Sequence, residues 1–236
     1  DIIEYSTDPV RAIEEIARRV DKNDIPVSGI TDRCRRILEV KLWLESQNTE
    51  NGSIKASEHP ALIHDLYSGA MTLIENNDNL VPLGRLDRMR IATVSVNRLA
   101  MTEFQRMTDR YTNADHYFID PANEQGARFV MSKLKNYDVV IAGFCSLAQK
   151  PVDNYGVTPA LSSLFREIAA LDRAAVIWFG NPYGVAKLDM TKKPSAFLVA
   201  YQDNSYTHQA AVQVLFGATG ASGKLPVTVN ETYPIG

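Results

Sequence analysis

The segment Gly217-Ala218-Thr219-Gly220-Ala221-Ser222-Gly223-Lys224 has the outline of a phosphate-cradling loop, in which glycine amides and a lysine hold a nucleotide's phosphates. The outline fails in detail. The first glycine of that motif falls on Ala218, the Mg²⁺-binding hydroxyl falls on Leu225, and the segment leads from helix to strand rather than strand to helix. Nor does a Gly-x-Gly-x-x-Gly turn follow the first strand of the α/β region, where Val96-Asn97-Arg98-Leu99 stands. Glu58-His59 and His64-Asp65 bring two imidazoles near each other, but with Pro60 between them and five residues apart they leave the shared helical face of an i, i+4 zinc pair. They read as solvated helix-start residues. No metal and no cofactor is expected.

Nucleophile chemistry is weakly encoded. Gly143-Phe144-Cys145-Ser146 ends a strand, yet lacks the second glycine that sharpens a nucleophile turn, and no His adjoins it in sequence. Cys145 therefore reads as a packed thiol, with Cys34 a separate one, although a disulfide between them is not excluded by pattern. His116 and His208 are single histidines on different elements, and Asn51-Gly52-Ser53 and Asn230-Glu231-Thr232 are glycosylation triplets by pattern alone. What remains is position: ligands of open α/β sheets sit beyond the carboxyl ends of the strands. That rule selects Asn97, Ser146, Asn181, Tyr183, Asp203 and Asn204, whose amide, hydroxyl and carboxylate groups could hydrogen-bond a sugar's hydroxyls. The same residue types are ordinary turn formers.

The elements that would position these residues come in two styles. Asp1–Tyr5 reads as a strand, Asp8 and Pro9 as the cap and first position of a helix to about Val20, and Ser28 or Thr31 as the cap of a second helix running toward Ser46. Residues 47–57 are polar and nearly free of apolar side chains, so a linker is placed there, over 47–59. A helix from about Pro60 carries its apolar stripe as far as Ile74. From Arg90 onward strand and helix alternate. Strands are read at Ile91–Val96, Tyr117–Ile119, Val139–Phe144, Ala175–Phe179, Ala196–Ala200 and Val227–Val229, with helices at about 101–110, 124–134, 159–171 and 205–216. Strands as continuously apolar as Val139-Val140-Ile141-Ala142 belong in a sheet covered on both faces, and helical crossovers join parallel neighbours. The fold class is α/β: a doubly wound, mostly parallel sheet sandwiched by helices, with room for one antiparallel edge.

Composition narrows the function classes. The 236 residues are 45% hydrophobic and 22% charged, with a formal charge of -3 that gives no basic field for a nucleic acid backbone. No run approaches the roughly 20 apolar residues of a membrane span, and the opening residues do not read as a signal peptide. Because the chain starts without Met, inside an apparent strand, both termini read as cut or processed.

Five stretches in register resemble the C-terminal part of glycoside hydrolase family 3, closest to its β-N-acetylglucosaminidase branch. They are Thr31 through Lys41; Thr72-Leu73-Ile74-Glu75-Asn76 with Leu80-Val81-Pro82-Leu83; Phe179-Gly180-Asn181-Pro182-Tyr183; Val199-Ala200-Tyr201; and Val214 through Gly217 with Ser222 through Val227. The resemblance implies that residues 1–46 are the last strand and helices of a truncated (β/α)₈ barrel and that 60–236 form the family's α/β sandwich domain. It implies a retaining β-glycosidase as the parent, periplasmic or secreted, whose Asp nucleophile lies on a barrel strand and whose His acid/base, with its Asp partner, lies on a barrel loop, both preceding this chain. No catalytic residue carries over, so the chain is expected to be an accessory domain. Its partners would be the N-terminal barrel and, through the barrel, a glycan, with no nucleic acid and no membrane span. A β-glucosidase branch places a Glu acid/base on the sandwich domain, and Glu103 and Glu124 are the residues that could serve. Two rivals stand apart from the family: a free-standing flavodoxin-like ligand-binding module, and a small hydrolase using Cys145 or Ser146. A barrel strand without its neighbours would leave Ile2, Ile3 and Tyr5 unburied, so residues 1–46 are expected to pack on another surface or fray.

Overall fold

Val139-Val140-Ile141-Ala142 has no polar side, and in the computed structural model, which describes residues 1–47 and 59–236, it lies in the interior of a six-stranded sheet. The chain divides into two compact units, Asp1–Lys55 and Ala56–Gly236. Most of the expected linker over 47–59, including Glu58 and the triplet at Asn51, lies outside the described residues.

In the first unit, α1 (Pro9–Asp21) and α2 (Val27–Ser46) have no buried residue. Asp8 caps α1, its Oδ1 accepting from the Arg11 amide at 3.0 Å, and Pro9 takes the first turn where no amide is needed. The expected Ser28 or Thr31 cap of α2 is not formed. The helix starts earlier, behind Pro26, whose fixed φ of -68° leads into the first turn without a side-chain cap, and Thr31 Oγ1 instead donates to the Val27 carbonyl. Ile13, Ile16 and Val20 of α1 and Ile30, Leu38 and Leu42 of α2 line a shared apolar cleft of about 840 Å³. Asp1–Tyr5 forms no strand among the described residues, because an extended segment without a neighbour has no partner for its amides and carbonyls.

The second unit holds α3 (His59–Ala70), β1 (Thr72–Asn76), β2 (Ile91–Val96), α4 (Glu103–Thr108), β3 (Ala114–Ile119), α5 (Glu124–Leu134), β4 (Val139–Phe144), α6 (Pro159–Ala169), β5 (Ala174–Trp178), β6 (Ala196–Val199) and α7 (Ser205–Leu215). The sheet order is β1-β6-β5-β4-β2-β3, with β1 antiparallel to β6 and the other neighbours parallel. Alternate residues of each strand feed two separate cores. Val140, Ala142, Phe144, Val176 and Trp178 meet Leu161, Phe165 and Ile168 of α6, while Val139, Ile141, Ala175 and Ile177 share the other layer with Phe104 of α4 and Ala211 and Leu215 of α7. Gly143 belongs to this second layer by alternation, and a Cβ there would sit 2.5 Å from a Phe104 ring carbon. Glycine at 143 is what lets that ring lie flat on the sheet.

Two sequence expectations are corrected at the sheet's edge. The helix read as far as Ile74 stops at Ala70, and Thr72–Asn76 becomes β1, pairing Thr72 with Val199 and Asn76 with Ala196. Leu73 and Ile74 then point into opposite cores, which a strand permits and a helix stripe does not. Val227–Val229 is not a strand. The place beside β6 is already taken by β1, and Pro226 has no amide to offer a ladder, so Leu225 and Val229 bury their side chains in the core instead.

Candidate functional site

The strand order reverses between β2, which continues to β3 on one side, and β4, which continues to β5 and β6 on the other. At such a reversal the loops leaving the two strands diverge to opposite faces and open a crevice. Asn97 and Arg98 leave β2 there, and Cys145 and Ser146 leave β4. Three residues at neighbouring strand ends adopt left-handed backbone: Asn97 (φ 65°), Ser146 (φ 53°) and Tyr201 (φ 65°). None is glycine, so each conformation costs on the order of 1 kcal/mol and persists only because the surroundings fix it.

Asp203 is the centre of what fixes it at Asn97 and Ser146. Its Oδ2 accepts the Ser146 amide at 2.6 Å and lies 3.2 Å from the Arg98 guanidinium, and its Oδ1 accepts from His208 Nε2 at 2.9 Å. Arg98 Nε also donates to Ser146 Oγ at 3.3 Å, while Asn97 Nδ2 donates to the carbonyls of Cys145 and Ser146 at 3.2 and 3.1 Å. One carboxylate thus ties together the loops after β2, β4 and β6. The Asp203 side chain is 12% exposed, and burial alone would raise its carboxyl; the His208 hydrogen bond, the Ser146 amide and the Arg98 charge outweigh burial and hold it below the ordinary carboxylate range.

Cys145, Asp203 and His208 bring their ligand-type atoms within 4.8 Å of one another, a grouping that could hold a metal ion. The donor set does not suit one. His208 Nδ1 accepts the Phe104 amide at 3.2 Å, which puts the ring proton on Nε2, where it is donated to Asp203. A ligating imidazole turns one lone pair to the metal and donates a proton from its other nitrogen. Here a backbone N–H occupies that second nitrogen. Burial, aided by the Asp203 charge, pushes the Cys145 thiol up to about 12, so it is a protonated, packed group and not a thiolate. His208, its ring tilted by 38° against that of Phe179 with centroids 4.0 Å apart, acts as a strut between α7, α4 and Asp203.

The other strand-end residues fall into neighbouring loops. Asn181 accepts the Tyr183 amide on Oδ1 at 3.0 Å and donates Nδ2 to the Gln149 carbonyl at 3.2 Å, which joins the loop after β5 to the loop after β4. Tyr183 is 42% exposed and its ring lies 6.0 Å from that of Tyr155. Asn204 caps α7 through the Thr207 amide at 3.0 Å, and its Nδ2 donates to Tyr67 Oη and Gln202 Oε1. The six selected residues therefore divide: Asn97, Ser146 and Asp203 share one network, while Asn181 with Tyr183 and Asn204 each belong to separate ones. Arg98 and His208, which complete the first network, were not selected. Arg98 adjoins Asn97 and the strand-end rule reaches it; nothing in the sequence joins His208 to a residue of another element.

The remaining candidates lie elsewhere. His116 is in β3, bonded to Thr93 Oγ1 at 2.7 Å and Asp109 at 3.0 Å, and His64 is half-buried against Gln213 at 3.0 Å rather than solvated. Glu103 accepts from Gln209 at 3.0 Å and Glu124 is bonded to Arg128.

Comparison with known proteins follows the same lines. The chain resembles the structure of a fungal multi-domain family 3 β-N-acetylglucosaminidase (18% identity, TM-score 0.62, 93% of this chain and 26% of that one). It also resembles a family 3 β-N-acetylglucosaminidase from Paenibacillus sp. str. FPU-7 (15%, 0.60, 93% and 43%) and a β-glucosidase from Listeria innocua in complex with glucose (16%, 0.61, 93% and 34%). The chain thus spans between about a quarter and less than half of the length of these proteins, and at such identities the likeness is one of fold. No curated protein sequence matches it. Among the described residues no helix is long and apolar enough to cross a membrane. The family profile described as the glycosyl hydrolase family 3 C-terminal domain matches residues 71–234, and the chain belongs to that family.

Proposed function

We propose that the chain is the C-terminal accessory part of a family 3 glycoside hydrolase whose nucleophile and proton donor lie on a preceding (β/α)₈ barrel. The observation that carries this is the family match over residues 71–234. The parent activity is retaining hydrolysis of terminal β-N-acetylglucosaminides or related β-glycosides, which normally needs two groups roughly 5 Å apart across one sugar ring. At the reversal of the sheet, Asp203 is a poor candidate for either, because its oxygens are committed to His208, Ser146 and Arg98. Residues 1–46 are the end of the barrel, and the apolar side chains lining the α1/α2 cleft are the surface that the rest of the barrel covers. Residues 60–236 are the sandwich domain. Asn97, Ser146, Asp203 and Asn204 shape its strand-end loops from within, and Asn181 with the exposed Tyr183 reaches the rim of the sugar site.

Turnover of an aryl N-acetylglucosaminide by the purified chain tests the reading. The chain alone is expected to be inactive, and to gain activity when expressed in continuity with a family 3 barrel. Enzyme-like turnover by contaminant-free chain alone overturns it.

A further inference from the structure

Beside the carboxyl end of β6, next to Asp203 but lined by none of the residues of its network, α3 and the start of α7 border a cleft of about 660 Å³, within the size range of small-molecule sites. Its walls are mostly carbon, from Leu66, Ala70 and Ala200, and two of its three tyrosines, Tyr67 and Tyr206 beside Tyr201, are stacked nearly parallel. The rings of Tyr67 and Tyr206 make an angle of 10° with centroids 6.1 Å apart. Tyr67 is held in place: its hydroxyl donates to Gln202 Oε1 at 2.7 Å and accepts from Asn204 Nδ2 at 3.1 Å. A ring fixed before a ligand arrives loses no rotamer freedom on binding. Among the described residues, the Gln202 side-chain amide nitrogen and the Tyr206 hydroxyl have no protein partner.

These groups specify a ligand class. A purely apolar guest would cover the Gln202 amide and the Tyr206 hydroxyl without giving them hydrogen bonds, and each such loss costs free energy. A nucleotide would stack as well, but no Lys or Arg lines the cleft to meet a phosphate. A pyranose ring presents one flat C–H face to an aromatic plank and a belt of hydroxyls to an amide and a phenol. We propose that this cleft binds a neutral pyranoside, with Tyr67 and Tyr206 as the platform and Gln202 and the Tyr206 hydroxyl as its hydrogen-bonding groups. The assignment stands on the cleft's own groups and not on the accessory role, so it and that role fail separately.

The test is a two-dimensional NMR titration of the ¹⁵N-labelled chain with N-acetylglucosamine, its β-1,4-linked disaccharide, cellobiose and AMP. At least one saccharide is expected to shift the Gln202 side-chain amide and the Tyr206 backbone amide saturably, with Kd on the order of 1 mM, while AMP does not. Tyr206→Ala, which loses platform and hydroxyl, is expected to weaken binding by about tenfold or more; Tyr206→Phe, which keeps the ring, weakens it by less. Three results overturn the proposal: no saturable shift at these residues with any saccharide, AMP binding as tight as the saccharides, or unchanged saccharide binding in a folded Tyr206→Ala chain.

Discussion

Replacing Asp203 by Asn keeps the size and shape of the side chain and removes one acceptor. In the parent, one oxygen accepts the His208 Nε2–H and the other the Ser146 amide, with Arg98 against the second. An Asn carbonyl satisfies one of those donors, and its NH₂ must then face the other, donor against donor. His208 cannot escape by moving its proton to Nδ1, since the Phe104 amide already points there. Its side chain is 2% exposed, so water does not rescue the lost bond. A buried unsatisfied donor costs about 1–3 kcal/mol, and loss of the solvent-screened Arg98 pair adds at most about 1 kcal/mol, for a loss of about 2–4 kcal/mol. In a protein of this size that lowers Tm by roughly 5–12 °C. Thermal unfolding by circular dichroism at pH 7 measures the loss, and amide hydrogen exchange at Ser146 locates it. The pH dependence has a fixed sign. Asp203 titrates below its unfolded value, so its contribution is complete above the ordinary carboxylate range and vanishes as pH falls through the folded value. The gap between parent and Asp203→Asn is thus expected to close in acid. A variant melting within about 1 °C of the parent at pH 7, with Ser146 still protected, would show that the three loops are held by something else.

Gly143→Ala forces a methyl to within 2.5 Å of the Phe104 ring, an overpacking worth about 1–3 kcal/mol in urea unfolding, and Phe104→Leu in the same chain is expected to recover part of it. Iodoacetamide at pH 8 is expected to label the exposed Cys34 and spare Cys145, whose thiol is buried and pushed up to about 12; both react in urea, and rapid native labelling of Cys145 would refute its packing. Burial, with hydrogen bonds to Asp115 for Tyr137 and to Glu75 for Tyr233, raises both phenols above the ordinary tyrosine value. These groups keep their protons longer when folded, so stability is expected to fall as pH rises beyond the ordinary value of about 10, and an ultraviolet titration should show them ionising last, with unfolding.

The sheet's interior was legible because burial on both faces demands continuously apolar strands; β4 and β5 obey that demand, and β2 departs from it only with the small buried side chains of Thr93 and Ser95. Its edge was not. Thr72-Leu73-Ile74-Glu75-Asn76 carries one charged residue and follows a helix whose stripe happens to continue in phase, and only pairing with β6 makes it a strand. Glu75 shows the reason for its polarity: it accepts from Lys193 at 2.5 Å and Tyr233 at 2.6 Å, contacts made by a distant loop and the chain's last residues.

The same limit governs the strand-end loops. Position in the fold selected Asn97, Ser146 and Asp203, since every open α/β sheet presents these loops, but their mutual bonding depends on left-handed turns at Asn97 and Ser146. Glycine would have announced such turns. Here the conformations are imposed by the network itself, so the constraint that shapes the loops leaves no mark in residue type. It follows that the strain at Asn97 and Ser146 and the Asp203 contacts are one feature: remove the carboxylate, and these two backbones lose what compensates their left-handed geometry. The loops after β2, β4 and β6 are then expected to relax together, as a unit, rather than one at a time.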